Sequence, residues 1–189
     1  GFRDDINARW SFGTGCYSQE ALVWDQCFGY YWDRHKVSKK ERHLEGRALL
    51  MSKKLSVEER PRSAPWQTTR DAICGLPDPK SAKSRNLAKN HDYRDGAKVY
   101  SGHTGSYLDE PSKTLKAGVH GVPGGENMLR RADGSVRYFT TREAARIQTF
   151  PDDFEFHGAW SECMRQLGNA VPVELARVVG ESVAEKLLK

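Results

Sequence analysis

Four cysteines are all that the 189 residues contain, and they are scattered. Cys16, Cys27, Cys74 and Cys163 lie 11, 47 and 89 residues apart. No pair has zinc-ligand or redox CxxC spacing, so reduced thiols are expected rather than a disulfide framework. Long apolar runs are equally missing. Nothing approaches the roughly 18 consecutive apolar residues of a spanning helix, and the hydrophobic fraction is a lean 38%, which excludes a helical membrane protein. The opening residues, Gly1-Phe2-Arg3-Asp4-Asp5, show neither an initiator Met nor the basic-then-apolar order of a signal peptide, so the expectation is a sequence that starts inside a longer gene product. There is no internal repeat and no low-complexity tract.

Aromatic residues, by contrast, are plentiful. Five Trp, seven Tyr and seven Phe argue against global disorder, because such side chains bury large areas that disordered segments lack. Lys and Arg number 30 against 25 acidic residues, a net charge of +5 that permits a nucleic-acid partner without requiring one. The excess sits in the middle. Residues 34–62 hold ten Lys/Arg against four Glu, and residues 80–98 hold six basic against two acidic, while 140–189 reverse to six basic against eight acidic.

The spacing of apolar residues predicts a helix from Ser18, a plausible N-cap, to about Arg34, with Val23, Cys27 and Tyr30/Tyr31 recurring at helical intervals. Residues 36–98 are polar and punctuated by Pro61, Pro65, Pro77 and Pro79, which predicts irregular structure with short elements. Brief strands are expected at 98–100, 114–117, 127–129 and 136–139, with an Asp-Gly hairpin signal in Arg131-Ala132-Asp133-Gly134. Thr140-Thr141-Arg142-Glu143 is a capping box, opening a short helix that Phe150-Pro151 ends. A second helix is expected from Trp160 to Leu167, closed by Gly168. A third begins with Pro172 in its first turn and carries Leu175, Val178/Val179, Val183 and Leu187 on one stripe.

Two of these segments resemble a known family. Thr141-Arg142-Glu143-Ala144-Ala145-Arg146-Ile147-Gln148-Thr149-Phe150-Pro151-Asp152, followed by Gly168-Asn169-Ala170-Val171-Pro172, is similar in order and spacing to the last two motifs of DNA (cytosine-5) methyltransferases. Upstream, Thr114-Leu115 and the glycine-rich Gly118-Val119-His120-Gly121-Val122-Pro123-Gly124-Gly125 resemble that family's second target-recognition loop. Lys98-Val99-Tyr100-Ser101-Gly102-His103-Thr104-Gly105 resembles the first, and Gly1-Phe2-Arg3 the end of the strand before the recognition domain. Met164 stands where the family usually has an aromatic, a modest departure because Met fills irregular gaps.

The resemblance implies an α+β fold: a small, irregular, β-rich target-recognition domain plus C-terminal helices that complete an α/β, Rossmann-like methyltransferase domain. It divides the chain into a catalytic-domain tail and connecting helix (1–33), the recognition domain (34–138), and the last two motifs with a closing helix (139–189). It also implies an S-adenosyl-L-methionine site to which Asn169 and Ala170 contribute. Double-stranded DNA is the implied partner, met by Thr114 at the phosphate beside a flipped cytosine, by Lys98, His103, Thr104 and Lys116, and by a major-groove loop containing Gly118, His120, Gly121, Gly124 and Gly125. Arg142, Glu143 and Arg146 are expected to brace the recognition domain against the catalytic domain.

The chemistry of cytosine methylation needs a thiolate to attack carbon-6, an acid at the ring nitrogen and a sulfonium methyl donor. The family takes the thiolate from a Pro-Cys motif, the acid from a Glu-Asn-Val motif and most of the donor site from a glycine-rich loop, and none of the three occurs here. The expected role is therefore a part of a cytosine-5 methyltransferase, inactive alone and joined to an N-terminal catalytic part in the bacterial cytoplasm at the nucleoid, with no membrane contact and no bound metal. The alternative is a noncatalytic, sequence-specific DNA-binding module.

Overall fold

A computed structural model describes residues 10–11, 13–81, 84–117 and 125–187. Strand β1 (Tyr17–Ser18) leads directly into α1 (Gln19–Phe28), whose N-cap Ser18 accepts a hydrogen bond from the Ala21 amide. The helix ends sooner than its apolar spacing suggests. Asp25 accepts from the Gly29 amide through its carbonyl and from the Tyr30 amide through its carboxylate, and the chain restarts as α2 (Tyr31–Arg34). Helix α3 (Gly46–Ser52) buries none of its residues. Strand β2 (Ala64–Pro65) pairs in parallel with β1, and α4 (Thr69–Ile73) follows from a Thr68/Asp71 capping box.

Tyr31, Trp32, Leu22 and Val37 form a small apolar cluster against which Leu44 packs. Its polar seam joins distant segments. The Tyr31 hydroxyl donates to Asp109 Oδ1 at 2.8 Å, Arg70 grips the same carboxylate at 2.7 and 2.9 Å, and Gln26 donates to the Asp109 carbonyl at 2.8 Å. Tyr31 is fully buried, and burial together with the Asp109 charge pushes its pKa well above the usual tyrosine range.

After α5 (Ser84–Leu87) comes a three-stranded sheet in the order β3 (Ser106–Tyr107), β4 (Met128–Arg130), β5 (Val136–Tyr138), parallel and then antiparallel. The expected hairpin forms at 131–134, where Gly134 takes φ +80° and its amide donates to the Arg131 carbonyl. The region 34–138 nevertheless carries less strand than expected. At 98–100 only Tyr100 pairs, in a single bridge to His103, because the chain reverses at once and His103 donates to the Tyr100 carbonyl. Residues 114–117 form no strand; Leu115 points into the main core instead.

That core gathers Leu115, Leu129, Phe139, Ala144, Ala145, Phe156, Cys163, Met164 and Leu167. It is supplied by the hairpin, by α6 (Thr141–Ile147) and by α7 (Trp160–Asn169), which runs through Gly168 rather than stopping before it. Met164 is fully buried in this cluster. Helix α8 (Val173–Leu187) closes the described chain with no buried residue. Among the described residues no helix is long and apolar enough to cross a membrane. All four cysteines are free, Cys163 buried and the others exposed.

Candidate functional site

The site is built outward from the start of α6. Thr140 and Glu143 form the expected capping box, satisfying two otherwise orphaned helix donors. Glu143 is shared. Its carboxylate also receives both Nη atoms of Arg137 at 2.6 Å, so a buried, bidentate ion pair ties β5 to the first turn of α6. Behind it the buried His91 ring bonds the Thr140 hydroxyl and the Pro77 carbonyl, both at 2.8 Å.

Arg142 faces the other way and is 1% exposed. Its guanidinium donates to the carbonyls of Lys89, Pro151 and Phe154 at 3.0, 3.1 and 2.7 Å. Burial pulls its pKa below the ordinary arginine value, and three carbonyl dipoles take the place of a counter-ion. One turn on, Arg146 grips Asp152 at 2.8 and 2.6 Å and donates to the Cys74 carbonyl at 2.7 Å. The two arginines thus share a face, and between them they fasten the 151–154 segment to residues 74 and 89.

The C-terminal end of α6 then holds the turn that joins α7 to α8. Gln148 Nε2 donates to the Leu167 carbonyl at 2.9 Å and, more weakly, to that of Ala170 at 3.5 Å. In return the Gln148 carbonyl accepts from the Val173 amide at 3.0 Å, and the Thr149 hydroxyl accepts from the Glu174 amide at 2.9 Å. Two of the α8 first-turn donors are therefore already used within the chain. What the turn still offers outward is the exposed Asn169 amide beside the half-buried Ala170.

Gly168 explains how this turn meets the 114–117 segment. A Cβ there would lie 2.6 Å from both the Ala117 nitrogen and the Lys116 carbonyl carbon, and 2.9 Å from Ala117 Cα. Helix propensity favours alanine over glycine at such a position by about 1 kcal/mol. Close approach of the 116–117 backbone is what requires glycine.

Lys116, Glu126 and His103 come together in front of that contact. Lys116 Nζ bonds Glu126 Oε1 at 2.9 Å and His103 Nδ1 lies 3.4 Å from Oε2. Burial opposes ionisation of Glu126, yet the Lys116 hydrogen bond and charge, a backbone donor and the nearby His103 hold its pKa below the ordinary glutamate value. Thr104 is joined to the same neighbourhood by Lys113, whose Nζ donates to its hydroxyl at 2.8 Å. Thr114 is exposed between Lys113 and the buried Leu115, and Lys98 is exposed on the first loop. Gly125 opens the 3-10 turn Gly125–Asn127. Gly118, His120, Gly121 and Gly124 lie outside the described residues, as does Gly1-Phe2-Arg3.

Sequence reasoning missed Lys113, Glu126 and the pair Gln148–Thr149. The last two stood inside a quoted motif but received no role, since a polar residue after a helix gives no local sign of the turn it will hold.

The sequence model of the C-5 cytosine-specific DNA methylase family matches residues 29–185. Among curated relatives, the Type II methyltransferase M.PspPI of Psychrobacter sp. (strain TA137) is 46% identical over 79 residues, 42% of this chain and 18% of that protein. M.NgoFVII of Neisseria gonorrhoeae is 37% identical over 105 residues, 53% of this chain and 27% of that protein. M.MthTI of Methanothermobacter thermautotrophicus is 34% identical over 146 residues, 65% of this chain and 43% of that protein. The chain thus spans less than half the length of these relatives. With the matched region reaching from the end of α1 through nearly all of α8, and with the Thr141 and Gly168 motifs brought onto one core, the chain belongs to the C-5 cytosine-specific DNA methylase family.

Proposed function

We propose that this chain is the DNA-reading, cofactor-pocket-completing part of a DNA (cytosine-5) methyltransferase that transfers a methyl group from S-adenosylmethionine to carbon-5 of a flipped cytosine. The observation that best supports the reading is the contact between the 114–117 segment and the Gly168–Ala170 turn, which sets a candidate phosphate ligand and a candidate cofactor ligand on two sides of one glycine. A base inside a duplex cannot present carbon-6 to a nucleophile, so it must be extruded, at a cost of a few kcal/mol recovered through backbone and groove contacts.

In this reading Thr114, an exposed residue, meets the phosphate beside the extruded base through its hydroxyl. Lys113 is the better neighbouring cation, because its ammonium is bonded to a neutral hydroxyl while that of Lys116 is engaged by Glu126. His103 and Thr104 stand within the same cluster as polar readers. The basic excess of residues 34–62 supplies further phosphate neutralisation and a steep salt dependence.

The donor set of the turn fits an edge of a cofactor pocket rather than a whole one. Asn169 offers an amide that both donates and accepts, and Ala170 a small apolar wall. When bound, the cofactor supplies an electrophilic sulfonium methyl. The nucleophilic thiolate and the acid at the ring nitrogen belong to a catalytic part that pairs with this chain, since none of Cys16, Cys27, Cys74 and Cys163 follows a proline. Helix α8, with Leu175, Val178 and Leu187 of its apolar stripe exposed, is the element offered to that part.

The test is reconstitution. The chain mixed with a catalytic part bearing Pro-Cys, Glu-Asn-Val and the glycine-rich loop is expected to transfer labelled methyl groups to duplex DNA, and neither part alone is expected to do so. A folded, stable mixture without transfer overturns the reading. Sequence-selective duplex binding by this chain alone would point instead to a noncatalytic DNA-binding module.

A further inference from the structure

We propose that Gly168 is a positioning residue that couples the two ligand sites, so that DNA at the Thr114 segment and cofactor at the Asn169 turn each tighten the other's binding. The inference rests on the functional reading above. It stands on the geometry of one narrow contact. On one side, Ala117 and Lys116 present backbone atoms within 2.6 Å of where a Gly168 side chain would begin. On the other, Leu167 is fully buried and its carbonyl is held by Gln148 at 2.9 Å, so the last turn of α7 cannot retreat into the core. Leu115, also buried, anchors the recognition segment in the same core two residues before the contact. Lys116 is held from the front by Glu126 at 2.9 Å.

Both walls are thus tied to the same core. Any shift of Thr114 toward a phosphate is carried along three residues of backbone to Ala117, and from there onto Gly168 and its neighbour Asn169. A ligand that orders one wall removes freedom the other ligand would otherwise have to remove, and linkage makes the effect mutual.

The experiment uses the reconstituted two-part enzyme, with S-adenosylhomocysteine as an unreactive cofactor probe and a duplex carrying the methylation site. Calorimetric titrations measure the dissociation constant of the probe with and without DNA. The expected result for the native sequence is tightening of about tenfold, within the usual range of allosteric coupling. Gly168→Ala forces the 116–117 backbone away and is expected to reduce the ratio below about twofold. Adding Ala117→Gly to that variant loosens the opposing backbone and is expected to restore part of the ratio, a rescue that a merely destabilised helix would not show. If Gly168→Ala does not fold, judged by its melting curve, Gln148→Ala carries the test: it leaves the contact open but releases the turn, and it must lower the ratio similarly. Equal tightening in the native and Gly168→Ala proteins, or none in a native enzyme that binds both ligands, overturns the coupling while leaving the functional reading intact. A native enzyme that binds neither ligand overturns the functional reading and the coupling with it.

Discussion

Helices α7 and α8 follow one another across a three-residue link, and both carry an apolar stripe with charged residues opposite. Their fates differ. Helix α7 buries Cys163, Met164 and Leu167 in the main core, whereas Leu175, Val178 and Leu187 of α8 remain 52, 50 and 48% exposed. Helix α8 is held at its first turn through Gln148 and Thr149, and farther along by the Trp10 indole donating to Ser182 at 2.8 Å. Its charged face is laced by Arg177 between Glu174 and Glu181. An amphipathic pattern thus specifies that a face will be covered, and it is silent on what covers it. Among the described residues, Leu175, Val178 and Leu187 of that stripe stay exposed beside a formed core, while Val179 and Val183 are half-buried.

The contrast can be broken from the core side first. Arg137→Met strands the Glu143 carboxylate without its buried partner, and urea unfolding is expected to show a loss of about 3–5 kcal/mol. A loss under about 1 kcal/mol would mean that the hairpin is not fastened to α6 through this pair. Leu167→Ala is expected to cost about 2–5 kcal/mol through cavity formation, while Leu175→Ala on α8 is expected to stay within about 0.5 kcal/mol of the native chain. Equal effects at the two positions would erase the distinction between the helices. For the second of these variants sedimentation is the sharper measurement, with weaker self-association expected as the stripe loses apolar area.

Thr140→Ala removes one half of the capping box and the hydroxyl that His91 meets, for an expected loss of about 1 kcal/mol, or nearer 2 given its burial. A smaller effect is expected from acid. Although burial works against its ionisation, hydrogen bonds from Thr68 and the neighbouring His35 hold the Asp71 pKa below the ordinary aspartate value. A depressed carboxyl pKa stabilises the fold fully above the unfolded-chain value of about 3.9 and loses that contribution as pH falls through the lower folded value. Melting temperature should therefore fall on acidification below about pH 4, less steeply in Asp71→Asn, and identical acid limbs would remove Asp71 from the account.

Much of the C-terminal third was legible because its signals are local. The Thr140 box needs only four residues, the Asp133-Gly134 turn two, and the α8 stripe a single helical period. The Thr68/Asp71 box was just as local and was passed over amid the polar, proline-punctuated stretch around it. Other features had no local trace. Arg137 and Glu143 are six residues apart on different elements, and their pairing follows from how β5 enters α6. The break at Gly29 depends on Asp25 bending back to cap the helix, against an apolar spacing that runs on unbroken. The strand expected at 114–117 failed because its backbone lies against α7 instead of a neighbouring strand.

By itself, then, the sequence determined the family motifs, their order, the caps and turns, and the absence of a nucleophile following proline. All of these are properties of adjacent or regularly spaced residues, whose hydrogen-bonding partners and periodicities lie within a turn or two. Only the tertiary structure decided which glycine is required by a close approach, which arginines are buried, and which of two similar helices buries none of its residues among those described. Those outcomes depend on close packing between segments tens of residues apart, where a difference of one methyl group at Gly168 separates contact from collision.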